Sequence, residues 1–201
     1  MTTSSSRKPY VLGLGGSKRI DSFTEKALQV ALRKAEALGA ETNLLNGPML
    51  EFPLYAPDDN TQSSAAQAFL EEVRRADGFI LASPSYHCGI SGLLKNAIDY
   101  IQYLSAGPAP YFSGRAVGII AVGAGWQGAV ATLNALRITT HALRGWPTPM
   151  GVPINAQECA FSSNGDCLTP KLDTQLATMA GEVMSFAQSR DNGARAMTGK
   201  D

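Results

Sequence analysis

The sequence predicts a single α/β domain built on a doubly wound parallel sheet, and two observations support this prediction. First, short apolar segments alternate with segments whose apolar residues recur at helical spacing, along nearly the whole chain. Second, the short apolar segments are continuous rather than alternating, as is typical of strands that helices cover on both faces. A sheet of this kind predicts the strand order 2-1-3-4-5, with ligands bound beyond the carboxyl ends of the strands.

Strands and helices are predicted to follow one another in turn. The strands are placed at 11–14, 42–45, 78–82, 116–122 and 150–154, and the helices at 22–38, 63–76, 92–104, 127–143 and 170–187. A long loop rich in Pro, Asp and Asn follows the second strand. We therefore expect one domain over residues 1–201, with flexible tails at 1–8 and 191–201.

The composition argues against several classes of protein. Lys and Arg together number 17, as do Asp and Glu, so the charge balance gives no argument for a nucleic-acid or membrane partner. The 3 cysteines form no C-x-x-C motif and, with only 2 histidines, predict neither a metal site nor a disulfide framework. This cysteine content predicts a reducing, cytoplasmic location. The apolar stretch Tyr10–Leu14 is too short for a signal peptide or a membrane span.

The loop after the first strand has the residues of a phosphate site. Ser22 and Glu25 have the spacing of a capping box, so a helix is predicted to begin at Ser22 and to offer free N–H groups to an anion. Hydroxyls at Ser17, Ser22 and Thr24 and the guanidinium of Arg19 suit the oxygens of a phosphate monoester. These residues are equally consistent with a capped helix that follows a glycine turn. The pattern of a nucleoside-triphosphate P-loop is absent from the sequence.

The loop after the fourth predicted strand contains a G-x-G-x-x-G motif at Gly123–Gly128. A dinucleotide-binding fingerprint of this type belongs on the first strand and requires an acidic residue about 20 positions further on. Here the motif follows a later strand, and no Asp or Glu occurs between Tyr100 and Gln157. The motif therefore does not predict a Rossmann site.

The loop after the third predicted strand carries the most specific pattern in the chain. From Pro84 to Asp99 the sequence matches P-x-Y-x-x-x-x-x-G-x-L-K-N-x-[IL]-D, and Ser91 is predicted to cap the helix that follows. From Gly16 to Thr24 it matches G-S-x-R-x-x-S-x-[NT]. Together these motifs resemble the NADPH-dependent FMN reductase family, and the similarity extends over nearly the whole chain.

The resemblance implies a flavodoxin-like fold that binds FMN and takes reducing equivalents from NADPH or NADH. It implies phosphate contacts from Ser17, Arg19, Ser22 and Thr24, and further cofactor contacts from Phe23, Pro84, Ser85, Tyr86, His87, Cys88, Gly89, Gly123, Ala124, Gly125 and Gly128. Two positions depart from the family, because Ser85 stands where Glu is common and Cys88 where Gly is common. These departures bear on the choice of substrate. No catalytic residue is assigned, because the flavin itself carries the chemistry.

The sequence thus predicts an enzyme, an NAD(P)H-dependent flavin oxidoreductase that reduces free flavin, a quinone, an azo compound or another small acceptor. Two alternatives stay open: a dehydrogenase with a dedicated biosynthetic substrate, and a non-enzymatic electron carrier like flavodoxin. A turnover assay would separate the carrier from the enzymes. In the expected mechanism, donor and acceptor share one space in turn, bordered by Tyr86, His87, Cys88 and Trp126.

The resemblance also implies self-association. It points to a homodimer or homotetramer, and a flavin-dependent monooxygenase that receives reduced FMN is a candidate partner. The predicted third helix has more apolar surface than one core face needs, at Ile98, Tyr100, Ile101, Tyr103 and Leu104. We therefore expect this helix to contribute to a subunit interface.

Overall fold

A parallel sheet with helices on both faces forms the fold and confirms the predicted α/β class. The computed structural model describes residues 7–58 and 62–198, with side chains as far as Arg190. In chain order the elements are β1 (Tyr10–Gly15), α1 (Phe23–Ala37), β2 (Glu41–Asn46), α2 (Ser64–Arg75), β3 (Gly78–Tyr86), β4 (Gly89–Ile90), α3 (Gly92–Tyr100), β5 (Ala116–Gly123), α4 (Trp126–Ala142), β6 (Trp146–Asn155) and α5 (Pro170–Thr198). Short 3₁₀ turns cover Gly47–Leu50 and Ile101–Leu104.

The sheet has the predicted topology. Its strand order is β2-β1-β3-β5-β6, and the two-residue strand β4 pairs with β3 alone, in antiparallel orientation. Without β4 in the numbering, this order is the predicted 2-1-3-4-5. At their carboxyl ends the parallel strands lie side by side, with Gly15 beside Ala82 and Gly123 beside Asn155, and β3 extends further to Tyr86. Their carboxyl ends therefore form one continuous edge.

Two apolar clusters fill the space between the sheet and its helices. One contains buried side chains of α2, α3 and α4, and the other contains those of α1 and α5. Alternate residues of each central strand enter opposite clusters; in β3, Phe79 and Leu81 enter the first and Ile80 and Ala82 the second. Burial on both faces explains why these strands are continuous apolar runs in the sequence.

Several element boundaries differ from the sequence prediction. Strand β3 continues past Ala82 to Tyr86, because its last residues pair with β4, which the sequence did not reveal. Strand β6 begins at Trp146, four residues earlier than predicted, and pairs with β5 across a register shift. The backbone of α5 remains helical to Thr198, beyond the predicted end at Ala187 and into the segment predicted as a tail. The remaining tail residues, 1–6 and 199–201, lie outside the described residues, as does 59–61 of the long loop.

The apolar residues of the third helix that were predicted to face another subunit pack mostly within this chain. Ile98, Tyr100, Ile101 and Leu104 are buried in the apolar cluster of this chain, and Tyr103 is half-buried against the same cluster. The reason is that the loop before α2 also packs on this helix: Phe52 lies against Tyr100, with ring centroids 5.0 Å apart. The helix thus needs a wider apolar face than one that packs only on the sheet. Within the described part of the chain, no helix is long and apolar enough to cross a membrane.

Candidate cofactor site

Three loops meet at the carboxyl edge of the sheet, as the sequence predicts. They follow β1, β3 and β5, and we call them the first loop (16–22), the second loop (84–91) and the third loop (123–128). The Gly16 N–H donates to the Ala82 carbonyl at 2.8 Å, and a Cβ at Gly16 would collide with Ser91 Oγ at the end of the second loop. A Cβ at Gly128 would lie 2.8 Å from Ser85 Oγ. The second loop is therefore in close contact with both of the others.

Local hydrogen bonds fix the start of α1 beside the first loop. Ser22 is the N-cap, and its Oγ accepts from the Glu25 N–H at 3.1 Å, which confirms the predicted cap. The carboxylate of Glu25 instead accepts from Gln29 Nε2 at 3.1 Å. In the hydrogen bonds of the described residues, only the Ser22 half of the capping box is formed. The cap leaves the N–H groups of Phe23 and Thr24 free of intrahelical partners.

The polar side chains of the first loop differ in how far they are already engaged. Ser17 and Thr24 are both buried. The Oγ of Ser17 accepts a hydrogen bond from the Arg19 N–H at 3.1 Å. Arg19 is exposed, and its guanidinium has no ion-pair partner among the described residues. Its neighbour Lys18 pairs with Glu51 at 2.9 Å. One cation of this loop thus has no ionic partner among the described residues, and the other has one at the surface.

The Phe23 side chain packs against the rest of the protein beside the first loop. Its ring lies 5.6 Å from that of Phe161, centroid to centroid, and packs against the cluster of α1 and α5. Only the backbone N–H of Phe23 can therefore serve a phosphate. The sequence could not reveal the contact between Phe23 and Phe161, because Phe161 is remote in the chain.

The second loop contains a hairpin that projects beyond the parallel sheet. Ser85 pairs with Ile90 and Tyr86 with Gly89, and we call this unit the β3–β4 hairpin (85–90). Its two turn residues, His87 and Cys88, have φ angles of 51° and 62°. These left-handed values are those of a type I′ turn, which favours glycine. The side chains of Tyr86, His87 and Cys88 are exposed at its tip.

The departure from the family at Cys88 therefore has a conformational consequence. Its φ of 62° is one that residues other than glycine adopt only at a cost of about 1–2 kcal/mol. The signal for this position was present in the sequence as a departure from a family glycine. Its left-handed conformation could be recognised only once β4 was known to exist.

The glycines of the third loop are required for different reasons. A Cβ at Gly123 would lie 2.8 Å from both Ala129 N and the Gly125 carbonyl oxygen, so the chain itself needs a glycine there. A Cβ at Gly125 would meet no protein atom within 4 Å. Gly125 is the N-cap of α4 and has no side chain, so the first N–H groups of α4 have no acceptor from a capping side chain.

A hydrogen-bonded group that the sequence did not reveal lies beside the third loop. Trp126 Nε1 donates to Glu158 Oε1 at 2.9 Å, and Asn155 Nδ2 donates to the same oxygen at 2.6 Å. The indole forms one wall of a cavity of about 270 Å³, which also has Cys159 and Lys171 in its lining. Burial raises the pKa of the Cys159 thiol. The Trp126–Glu158 contact spans 32 positions, which no local pattern could indicate.

Other features of the molecule do not enlarge this site. A cavity of about 280 Å³ lies beside Arg74 and Tyr103, at the end of α2 that leads into the amino end of β3. Lys95 and Asp99 of α3 pair with each other at 2.7 Å, as their spacing predicts. Among the described residues, no three His, Cys, Asp or Glu side chains are grouped so that they could hold a metal ion.

The doubly wound fold, with a hydroxyl-rich helix start and two glycine-bearing loops at one sheet edge, is that of flavodoxin-like flavoproteins. The family of NADPH-dependent FMN reductases matches residues 9–158, and the chain belongs to this family. Membership confirms the resemblance drawn from the two motifs. It also confirms that the protein is an oxidoreductase that uses FMN and a nicotinamide nucleotide.

Individual relatives agree with this assignment. The chain is 33% identical over 165 residues to an NAD(P)H-dependent FMN reductase of Pseudomonas aeruginosa, which covers 80% of this chain and 85% of the relative. It is 29% identical over 188 residues to the FMN reductase (NADPH) of Escherichia coli, with 90% and 91% of the two chains covered. A quinone reductase of Escherichia coli is 33% identical over 106 residues, which span 51% of this chain and 55% of that one.

A solved structure shows the same fold. The flavoenzyme NAD(P)H:(acceptor) oxidoreductase FerB of Paracoccus denitrificans superimposes with a TM-score of 0.72 at 20% identity, covering 90% of this chain and 98% of that one. The relatives favour neither the dedicated dehydrogenase nor the electron carrier. The protein is thus an NAD(P)H-dependent flavin oxidoreductase that acts on a small acceptor.

Proposed function

We propose that the three loops hold one FMN, with its phosphate at the first loop and its ring between the second and third loops. The observation that carries this proposal is the convergence of the loops at one edge. There the start of α1 offers N–H groups and hydroxyls, while Gly125 leaves open space. When bound, FMN supplies the redox chemistry, and the protein supplies binding and orientation.

The described residues fit this cofactor. The phosphate would meet the Ser17, Ser22 and Thr24 hydroxyls, the Phe23 N–H and the guanidinium of Arg19. The ring would meet largely backbone, from the exposed face of the β3–β4 hairpin and from Gly123, Ala124, Gly125 and Gly128 of the third loop. A flat ring is suited to glycine-rich backbone because no Cβ holds it away.

The phosphate assignment is tested by replacing Arg19. A hydrogen bond from a charged donor contributes about 1.5–3 kcal/mol, so Arg19→Ala should weaken FMN binding by about tenfold or more. Lys18→Ala is the matched control, because Lys18 is the adjacent cation but pairs with Glu51. Riboflavin, which lacks the phosphate, should bind the wild type and Arg19→Ala equally well. If Arg19→Ala binds FMN with unchanged affinity in a fluorescence titration, the phosphate site is wrongly assigned.

We further propose that NAD(P)H and the acceptor occupy one space above the ring in turn. Tyr86, His87 and Cys88 would border it from the hairpin, and Trp126 would border it from the third loop. Free flavin, quinones and azo compounds are the acceptor classes to assay, and the quinone reductase relative supports the second of these.

Steady-state kinetics test the shared space. If FMN stays bound, double-reciprocal plots at several acceptor concentrations should be parallel. Intersecting lines with tightly bound FMN would mean that donor and acceptor occupy the protein together, which contradicts a single space. Anaerobic titration with NADPH and with NADH would identify the preferred donor.

We also propose that the protein forms a homodimer or homotetramer. Exposed apolar side chains on α4 support this assembly. They are Trp126, Val130 and Ile138, spaced 4 and 8 residues apart, and Ile138 is 71% exposed. A monomer mass in light scattering at micromolar concentration would contradict it.

The free cysteines fit a cytoplasmic location. A flavin-dependent monooxygenase partner can be tested by coupled turnover with and without direct contact between the two proteins.

A further inference from the structure

We propose that Thr132 of α4 is a positioning residue, whose hydroxyl holds the β3–β4 hairpin at a fixed distance from the third loop. This proposal rests on the proposed function, because the position of the hairpin affects turnover only if the hairpin borders the flavin. The hydrogen bond itself can be tested without any cofactor.

The β3–β4 hairpin has little support of its own. Strand β3 pairs with β5 only as far as Pro84, so Ser85 and Tyr86 have β4 as their sheet partner. The ladder between β3 and β4 has two residue pairs, and an isolated two-stranded hairpin is at best marginally stable in water. Its turn is strained further, because His87 and Cys88 are non-glycine residues with positive φ. A contact from outside the hairpin is therefore needed to hold it.

Thr132 makes this contact with both strands of the hairpin. Its Oγ1 lies 2.9 Å from Ser85 Oγ on β3 and 3.2 Å from the carbonyl oxygen of Gly89 on β4. The residue is 0% exposed, so water does not compete for the hydroxyl. A hydroxyl has one proton, and when Thr132 donates it to Gly89 it can accept from Ser85. One side chain thus connects the two strands to α4.

The surface of α4 fits closely against the hairpin at this point. Gly128 precedes Thr132 by one helical turn, and a Cβ there would lie 2.8 Å from Ser85 Oγ. Because α4 begins at Trp126, directly after Gly125, the same helix also carries the end of the third loop. The contact therefore fixes the hairpin tip relative to the open start of α4 at Gly125, against which the flavin ring is proposed to lie.

Ser85, which departs from the family pattern, has Thr132 as its hydrogen-bond partner. A hydroxyl at position 85 is matched by the buried hydroxyl at position 132, and the glycine at position 128 makes room for it. We infer that these three positions form one unit that sets the geometry of the acceptor space. A larger side chain at position 85 would require a change at one of the other two.

The test compares two threonine substitutions in the same helix. Thr132→Val removes the hydroxyl and nearly preserves the shape. Thr140→Val is the matched control, since Thr140 is also 0% exposed but its Oγ1 has no hydrogen-bond partner in the described part of the chain. Thr132→Ser retains the hydroxyl and should restore the wild-type behaviour. Ser85→Ala removes the Thr132–Ser85 hydrogen bond but keeps the one to Gly89, so it should give a smaller acceleration of exchange and serves as the test if Thr132→Val does not fold.

Two measurements are made on each variant. Hydrogen exchange of the apoprotein compares a peptide covering 85–90 with one covering β1, and turnover with a quinone gives KM and kcat separately. Thr132→Val should speed exchange in the hairpin by about fivefold, the factor for loss of one neutral hydrogen bond, and leave β1 unchanged. The quinone KM should rise by a similar factor with a smaller change in kcat. Thr140→Val and Thr132→Ser should match the wild type in both measurements.

Each other outcome overturns a defined part of the inference. Unchanged exchange in the hairpin, or equal acceleration in β1, would show that Thr132 does not hold the hairpin. Faster exchange in the hairpin with an unchanged quinone KM would reduce the role of Thr132 to a structural one and overturn the positioning role. Absence of FMN-dependent turnover in the wild type would overturn the proposed function instead, and the exchange data would still decide whether the contact holds.

Discussion

Alanine substitutions at two glycines of the third loop should have different effects, one on stability and the other on cofactor affinity. In Gly123→Ala the new Cβ would lie 2.8 Å from two backbone atoms, Ala129 N and the Gly125 oxygen, whereas ordinary contacts begin at 3.4 Å. Backbone atoms cannot rotate away, so β5 and α4 must shift by several tenths of an ångström. Overpacking of this kind costs about 1–3 kcal/mol. For a chain of this size we expect Tm to fall by about 2–12 °C.

Gly125→Ala should instead have little effect on stability and a larger effect on flavin affinity. Its Cβ would meet no protein atom within 4 Å, and its φ of −167° is extended backbone that alanine adopts. Since alanine is a poorer N-cap than glycine, we expect a loss of about 1 kcal/mol or less in the free energy of unfolding. If the flavin ring lies against Gly125, the added methyl group occupies its place, and affinity should fall by about tenfold, equivalent to about 1.4 kcal/mol.

Scanning fluorimetry of the apoprotein and fluorescence titration with FMN and riboflavin measure the two effects. Gly125→Ala should weaken both flavins alike, because the loss occurs at the ring; this distinguishes it from Arg19→Ala, which should weaken FMN alone. Wild-type affinity in Gly125→Ala would refute the placement of the ring against the third loop. An unchanged Tm in Gly123→Ala would refute the reasoning from backbone crowding.

Three further outcomes follow from single contacts. Ser22→Ala removes the N-cap of α1 and should lower the free energy of unfolding by about 1 kcal/mol, as measured by urea denaturation. In time-resolved alkylation at pH 8, Cys88, which is exposed, should be labelled before Cys159, because burial shields the Cys159 thiol and raises its pKa; equal rates would contradict this. Trp126→Phe removes the donor to Glu158 and should change the ratio of kcat/KM between quinone and azo acceptors more than FMN affinity.

The sequence alone was sufficient for the architecture and for the family. Runs of apolar residues placed the five parallel strands, and their continuity indicated burial on both faces, because both signals come from neighbours in the chain. Ser22 and Ser91 were identified as helix caps for the same reason, and their side chains accept from Glu25 N and Leu94 N. Each of these bonds spans three residues, well within reach of a local pattern.

The details of the site depended on contacts between remote segments. Strand β4 has two residues and no apolar pattern of its own, so the type I′ turn at Cys88 was hidden with it. The width of the apolar face of α3 was visible, but its contact with the loop that carries Phe52 was not. In both cases the residue could be identified from the sequence, but its structural role depended on contacts with remote parts of the chain.

What the sequence by itself determined is the order of elements, the edge of the sheet at which the loops meet, and the family to which the chain belongs. Only the tertiary structure decided which glycine is crowded and which is open, and which hydroxyl holds the hairpin. Thr132 and Ser85 are 47 positions apart, so nothing local in the chain records their contact. The physical reason is that caps and strand runs depend on neighbours in sequence, whereas the gap between two loops depends on how an entire helix packs against the sheet.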